Sequence, residues 1–142
     1  MKTLRGRELF AGTAAGKTMR LAAPISLWGG VDPATGRVCD PRHPDYGARV
    51  SDRVLCIPSL VGSSSSSAVL LELLRAGTAP AALLLGANDA ILILGLLVAR
   101  ELGYRTIPVI EIAERDLLSI PQDADVRVSA GGEVSWENPS AR

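Results

Sequence analysis

Arg53-Val-Leu-Cys-Ile57, then Ala68-Val-Leu-Leu-Glu-Leu-Leu-Arg75, then Pro80-Ala-Ala-Leu-Leu-Leu-Gly86, form the stretch on which the reading of the fold turns. The first and third are short apolar runs closed by Pro58 and Gly86, the pattern of strands buried on both faces. The second has apolar residues at helical spacing and stops at Ala76-Gly77, so it predicts an amphipathic helix, with a serine as its N-cap. The alternation continues. Asn88-Asp89 cap a helix running to about Leu102 and ending at Gly103, and Thr106-Ile-Pro-Val-Ile-Glu-Ile112 is the next strand. Strand, helix, strand, helix, strand predicts parallel strands joined by right-handed crossovers, an α/β fold class.

Outward from this core the signals are turns. Upstream, Leu4 to Phe10 and Lys17 to Leu21 predict two short strands joined by a hairpin loop from Gly12 to Gly16. Pro24-Ile-Ser-Leu-Trp28-Gly-Gly-Val-Asp32-Pro33-Ala-Thr-Gly36 is too rich in turn residues for a helix or strand and predicts a shaped loop, in which Asp32 caps its own turn with Thr35. A second loop, Asp40-Pro-Arg-His43-Pro44-Asp-Tyr-Gly47, follows. Downstream, Asp125 to Ser129 and Glu133 to Trp136 predict a hairpin around Gly131-Gly132, before a polar, frayed end. With no internal repeat and no long linker, residues 1–142 are expected to form a single domain.

The bulk numbers narrow the function classes. Fifteen basic residues balance fifteen acidic ones, which leaves no electrostatic footprint for nucleic acid or an anionic membrane. The longest apolar run, Ala90 to Ala99, spans only about 15 Å as a helix, half of a bilayer core, and reads as a core helix. Lys2, Arg5 and Arg7 are followed by Glu8 and a short, glycine-broken stretch, which is no clear signal peptide, so a cytoplasmic location is expected. Cys39 and Cys56 lie in apolar settings without metal or redox spacing, and both are expected to be buried free thiols.

Three motifs invite chemistry. Gly12-Thr-Ala-Ala-Gly16-Lys17-Thr18 has three residues between its glycines where a phosphate-binding loop needs four, and Pro24 leaves no room for the following helix. His43, the one histidine, sits between prolines and reads as a loop packing residue. A serine hydrolase would need a second glycine after a central serine, and Gly62-Ser-Ser-Ser-Ser does not supply it. The serine run itself occupies a strand-to-helix turn, where backbone N–H groups and the positive end of the helix dipole converge. A functional serine loop and simple N-capping both remain open on the residues alone.

Pro24 to Gly36, His43-Pro44, Gly62-Ser-Ser-Ser-Ser-Ser67, Leu71-Glu72-Leu, Ala79-Pro80-Ala-Ala and Ile107-Pro108-Val, in that order, resemble the small subunit or swivel domain of the aconitase X family over nearly the whole chain. The resemblance implies a swivelling β/β/α domain seated on a large subunit that holds an iron-sulfur cluster. It also implies a hydro-lyase acting on cis-3-hydroxy-L-proline or on mevalonate 5-phosphate. In aconitase-like enzymes the base is the serine after the glycine of a Gly-Ser-Ser turn. By resemblance Ser63 is therefore the proton acceptor, with Gly62 and Ser64 at the substrate, while iron draws off the hydroxyl as a Lewis acid. The two cysteines fit neither the spacing nor the role of cluster ligands. Family members often carry a cation just before this glycine. Here the residue is Val61, which tilts the expectation toward the amino-acid substrate, with Arg42, Arg49 or Arg75 as substitutes. Trp28 reads equally as a packing anchor and as part of an interface or pocket mouth. The competing class is a non-catalytic binding or regulatory module that keeps the fold.

Overall fold

The computed structural model describes residues 1–62 and 64–137. Its strands are β1 (Lys2–Arg5), β2 (Arg7–Phe10), β3 (Ala14–Arg20), β4 (Val31–Asp32), β5 (Arg37–Val38), β6 (Val54–Ile57), β7 (Ala82–Leu85), β8 (Val109–Glu111), β9 (Asp125–Ser129) and β10 (Glu133–Trp136). The helices are α1 (Ser66–Ala76), α2 (Ala90–Glu101) and the single turn α3 (Glu114–Leu117). Leu27–Gly30 winds like a helix but is a kinked turn, with Trp28 at ψ 118° and Gly29 at φ 79°.

The expected alternation is present. β6, β7 and β8 lie side by side and parallel, with β3 parallel to β6 on the other flank. β6 and β7 are buried on both faces, and the residues of β6, β7 and β8 alternate between two cores. Leu55, Ile57, Leu83, Leu85 and Val109 face the layer of α1 and α2. Val54, Cys56, Ala82, Leu84 and Ile110 face a second layer, which includes Val126, Val128, Val134 and Trp136 of the β9–β10 hairpin. The result is three layers, strand on strand on helix, as the resemblance implies.

The helix ends follow from local chemistry. Asp89 caps α2 by accepting a hydrogen bond from the Leu92 amide at 3.1 Å. Gly77, at φ 74°, and Gly103, at φ 77°, end the two long helices in the left-handed conformation that glycine adopts without strain. Ser65 holds the cap position of α1, but its side chain makes no capping hydrogen bond.

The N-terminal region departs from expectation. The full sheet runs β1-β10-β9-β3-β6-β7-β8-β2, so β2 and β3 are not hairpin partners. β2 pairs instead with β8, and β3 with β9 and β6. The first and last strands of this order are consecutive pieces of one run, residues 2–10, broken at Gly6. The sheet therefore curls until its two ends meet at that glycine. A methyl group on Gly6 would stand 2.4 Å from the Glu111 carbonyl oxygen, and the Gly6 amide donates to the Gly132 carbonyl at 2.9 Å. Glycine is required there because three backbones converge.

β4, inside the Pro24–Gly36 segment, and β5, just after it, form a two-residue ladder where no strand was expected. Asp32 does cap this turn, accepting from the Ala34 amide at 2.9 Å, while the Thr35 hydroxyl accepts from Arg37. Lys17 and Thr18 lie inside β3. The Thr18 hydroxyl is buried, donating to the Pro121 carbonyl and accepting from the Ala124 amide, which is structural work and not phosphate binding.

Candidate active site

In sheets of this kind ligands gather beyond the carboxyl ends of the parallel strands. Here that edge carries the loop after β3, the turn from β6 into α1, and the turn from β7 into α2. They are tied together. Ile25 bridges Leu60, and the Val61 amide donates to the Ile25 carbonyl at 2.8 Å. The 40–47 loop joins the same rim: His43 Nε2 donates to the Ala23 carbonyl, and the Ala22 amide donates to the Asp45 carboxylate. His43 is buried, and its Nδ1 accepts from the Asp45 amide at 3.0 Å. Both ring nitrogens are thus spent on holding the loop, as a packing residue's should be.

Of the three residues assigned to the site, Gly62 and Ser64 lie exposed in the turn before α1, and Ser63 lies outside the described residues. The helix they introduce has no acidic residue in its first turn, so its positive end is not neutralised from within. Ser66, in that same turn, is fully buried and its hydroxyl has no hydrogen-bond partner among the described residues. Leaving such a group unsatisfied costs about 1–3 kcal/mol.

The glycines separate fold requirements from others. Among the described residues, every glycine except Gly62 either has a positive φ or would bring a Cβ against a neighbouring group. Gly62 has neither: a methyl group there would meet open space. Gly86 at the same rim is the opposite case. Its Cβ would stand 2.3 Å from the Pro58 carbonyl oxygen, because the turns after β6 and β7 touch. Sequence reasoning passed over Gly86, although a glycine closing an apolar strand is a signal of close backbone approach.

The cations sort by position. Arg75 is in the last turn of α1, about 15 Å along the helix from the site, and is bound to Glu72. It is therefore no substitute for the missing cation. Arg49 is exposed where it bridges Arg37. Arg42 lies in the 40–47 loop on the rim and pairs with Asp40, whose carboxyl it holds below the usual carboxylate range. Val61 is half exposed.

Two other expectations change. Trp28 is 62% exposed, so it does not anchor its loop. Cys39 is also exposed, because it follows the two-residue β5 at the surface, where its amide bonds to the Gly30 carbonyl. Partial desolvation and then the Asp32 carboxylate raise its pKa. Cys56 is buried as expected, and burial pushes its thiol up to about 12.

Comparison with known proteins gives a consistent set. A family model described as the aconitase X swivel domain matches residues 3–136. The cis-3-hydroxy-L-proline dehydratases of Pseudomonas aeruginosa and Hypocrea jecorina are 46% and 42% identical over 77% and 92% of this chain. The chain spans only about a fifth of their length, 19% and 22%. The phosphomevalonate dehydratase small subunit of Methanothermobacter thermautotrophicus is 34% identical, over 87% of this chain and 91% of that one. A chain of the crystal structure of Thermococcus kodakaraensis aconitase X in its holo form superposes with a TM-score of 0.85 at 29% identity, covering 97% of this chain and all of that one.

Proposed function

Because the chain belongs to the aconitase X swivel-domain family, we propose that it is the small subunit of a cytoplasmic hydro-lyase, brings Ser63 to the substrate as the base, and acts with a large subunit on cis-3-hydroxy-L-proline. The observation that carries the site assignment is Gly62. Nothing within the described chain forbids a side chain there, so glycine at this position is not a requirement of the fold, which supports a role for it beside a substrate held against the backbone. Ser63 follows it in sequence, three residues before a helix with no acidic residue in its first turn, and the positive end of such a helix stabilises a nearby alkoxide. Its task is to take a proton from substrate carbon as the neighbouring hydroxyl leaves. A water-excluding partner strengthens that stabilisation by lowering the local dielectric.

Identity supports the substrate. The cis-3-hydroxy-L-proline enzymes stand at 46% and 42%, against 34% and 38% for phosphomevalonate small subunits of two methanogens. Val61 adds to this, since an uncharged residue at the turn suits a substrate without a phosphate.

The family implies an iron-sulfur cluster, and the described residues do not fit one. Such clusters are held by several cysteine thiolates. This chain has two cysteines: Cys56 inside the sheet with its proton tightly held, and Cys39 on the surface. No group of three His, Cys, Asp or Glu residues among the described ones could hold a metal. We assign the cluster to the large subunit.

The test is anaerobic co-expression with the large subunit of the same genome, with water loss from cis-3-hydroxy-L-proline and mevalonate 5-phosphate assayed in parallel. Activity should need both chains, favour the proline and vanish in Ser63→Ala. Full turnover in Ser63→Ala would remove the base assignment. Preference for the phosphate would reverse the substrate, and an inert complex would favour the binding-module reading.

A further inference from the structure

The apolar run from Ala90 to Ala99 is core on one side only. Leu92, Gly95, Leu96 and Ala99 of α2 are buried, whereas Ile91, Leu94, Leu97 and Val98 are exposed, and so is Leu102 just beyond. Leu94 and Leu102 keep more than half of their surface in solvent, at 54% and 56%. Positions 91, 94, 98 and 102 repeat at i, i+3, i+7 and i+11, so they form one stripe about 16 Å long. A helix apolar on all sides is normally buried on all sides, and a contiguous exposed apolar surface marks a place of contact.

We infer that this stripe is where the large subunit docks; the inference rests on the two-chain reading above. Its position favours that occupant. α1 and α2 pack so closely that a methyl group on Gly95 would stand 2.6 Å from the Ser67 carbonyl oxygen, which places the first turn of α1 against the second turn of α2. The stripe starts at Ile91, in the first turn of α2, at the same sheet edge as Gly62. Val61, itself half exposed, lies at that edge too, so a partner that reaches from the stripe over the rim meets the turn before α1. Area argues against a second copy as the occupant. The stripe alone offers on the order of a few hundred Å², short of the roughly 800 Å² per partner of a stable interface. A larger partner that extends over the rim makes up the difference. In the two cis-3-hydroxy-L-proline dehydratases the matching segment is about a fifth of one polypeptide, so there the rest of the chain is on hand as such a body.

The test compares wild type with Leu94→Glu/Val98→Glu, and with the milder Leu94→Gln, each co-expressed with the large subunit. Both positions face solvent in the isolated chain, so circular dichroism and melting temperature of the small subunit alone should match wild type. Affinity for the large subunit, by calorimetry, should fall at least a hundredfold in the double variant and measurably in Leu94→Gln. Unchanged affinity in both variants overturns the inference, as does failure of the wild-type chains to associate. An isolated wild-type dimer that the double variant splits, with the heteromeric complex intact, would assign the stripe to self-association instead. A wild-type complex that forms through the stripe yet dehydrates neither substrate would count against the enzyme reading and leave the docking surface standing.

Discussion

Replacing Gly62 with alanine adds one methyl group, and its effects on folding and on activity should have opposite signs. Within the chain the new Cβ meets no atom within 4 Å and the backbone is not in the left-handed region. Removing glycine's excess freedom from the unfolded chain then stabilises the fold by about 0.4–1 kcal/mol. For a domain of this size that is a rise in melting temperature of about 1–4 °C. On the proposed reading, the same methyl group in the assembled enzyme lies where substrate is held against the backbone. Forcing it into a filled site costs about 1–3 kcal/mol, a drop in kcat/KM of roughly five- to 150-fold. Thermal melts of the isolated subunit and dehydration kinetics of the complex measure the two halves separately. Gly86→Ala is the control, since its Cβ would meet the Pro58 carbonyl at 2.3 Å and should destabilise the subunit before any question of activity. A Gly62→Ala complex with wild-type turnover would refute the close-approach argument, and a lowered melting temperature would refute the claim that the fold is indifferent to that position.

Gly6→Ala should cost at least about 3 kcal/mol, the upper range for overpacking, because the obstacle is the Glu111 backbone and cannot turn aside; urea unfolding with an unchanged midpoint would contradict this. Native protein at pH 8 should show one thiol to a disulfide reagent, Cys39, reacting slowly because its pKa is raised, and two thiols only after unfolding. The Cys56 thiol holds its proton more tightly folded than unfolded, so its contribution is fully present below pH 9 and is lost as pH rises toward 12. Between pH 9 and 11 wild type should therefore lose about 2–3 kcal/mol more stability than Cys56→Ala, measured by denaturation at each pH.

The parallel core was legible because every element in it carries a local signal: apolar runs, the Asp89 cap, and glycine stops at Gly77 and Gly103 that occupy the predicted conformation. The closing hairpin was legible for the same reason, and its strands have the predicted bounds. What failed was partnership. Residues 4–10 look like one strand of a hairpin, yet they split at Gly6 and serve two distant neighbours, which no local pattern encodes. A glycine inside a strand was the available clue. Cys39 went wrong for a related reason, since apolar neighbours cannot say which side of a two-residue ladder faces water. At the site, the turn itself was readable from its glycine and serines, whereas the contact of Gly86 with Pro58 and the unpartnered face of α2 exist only once the elements are packed.

The run from Lys2 to Phe10 also sets an order of events during synthesis. β1 pairs with β10, and Arg5 reaches Glu133 across 128 positions of sequence. The first of the described strands is thus completed by the last of them. At about 5–20 residues per second the ribosome needs on the order of ten seconds to supply that partner. Throughout that interval β1 has an unpaired edge and the nascent chain must keep it from pairing elsewhere. Closure of the sheet is accordingly a late step of high contact order, and a nascent chain stalled before the β9–β10 hairpin emerges should be bound by chaperones that a chain extending past the hairpin escapes.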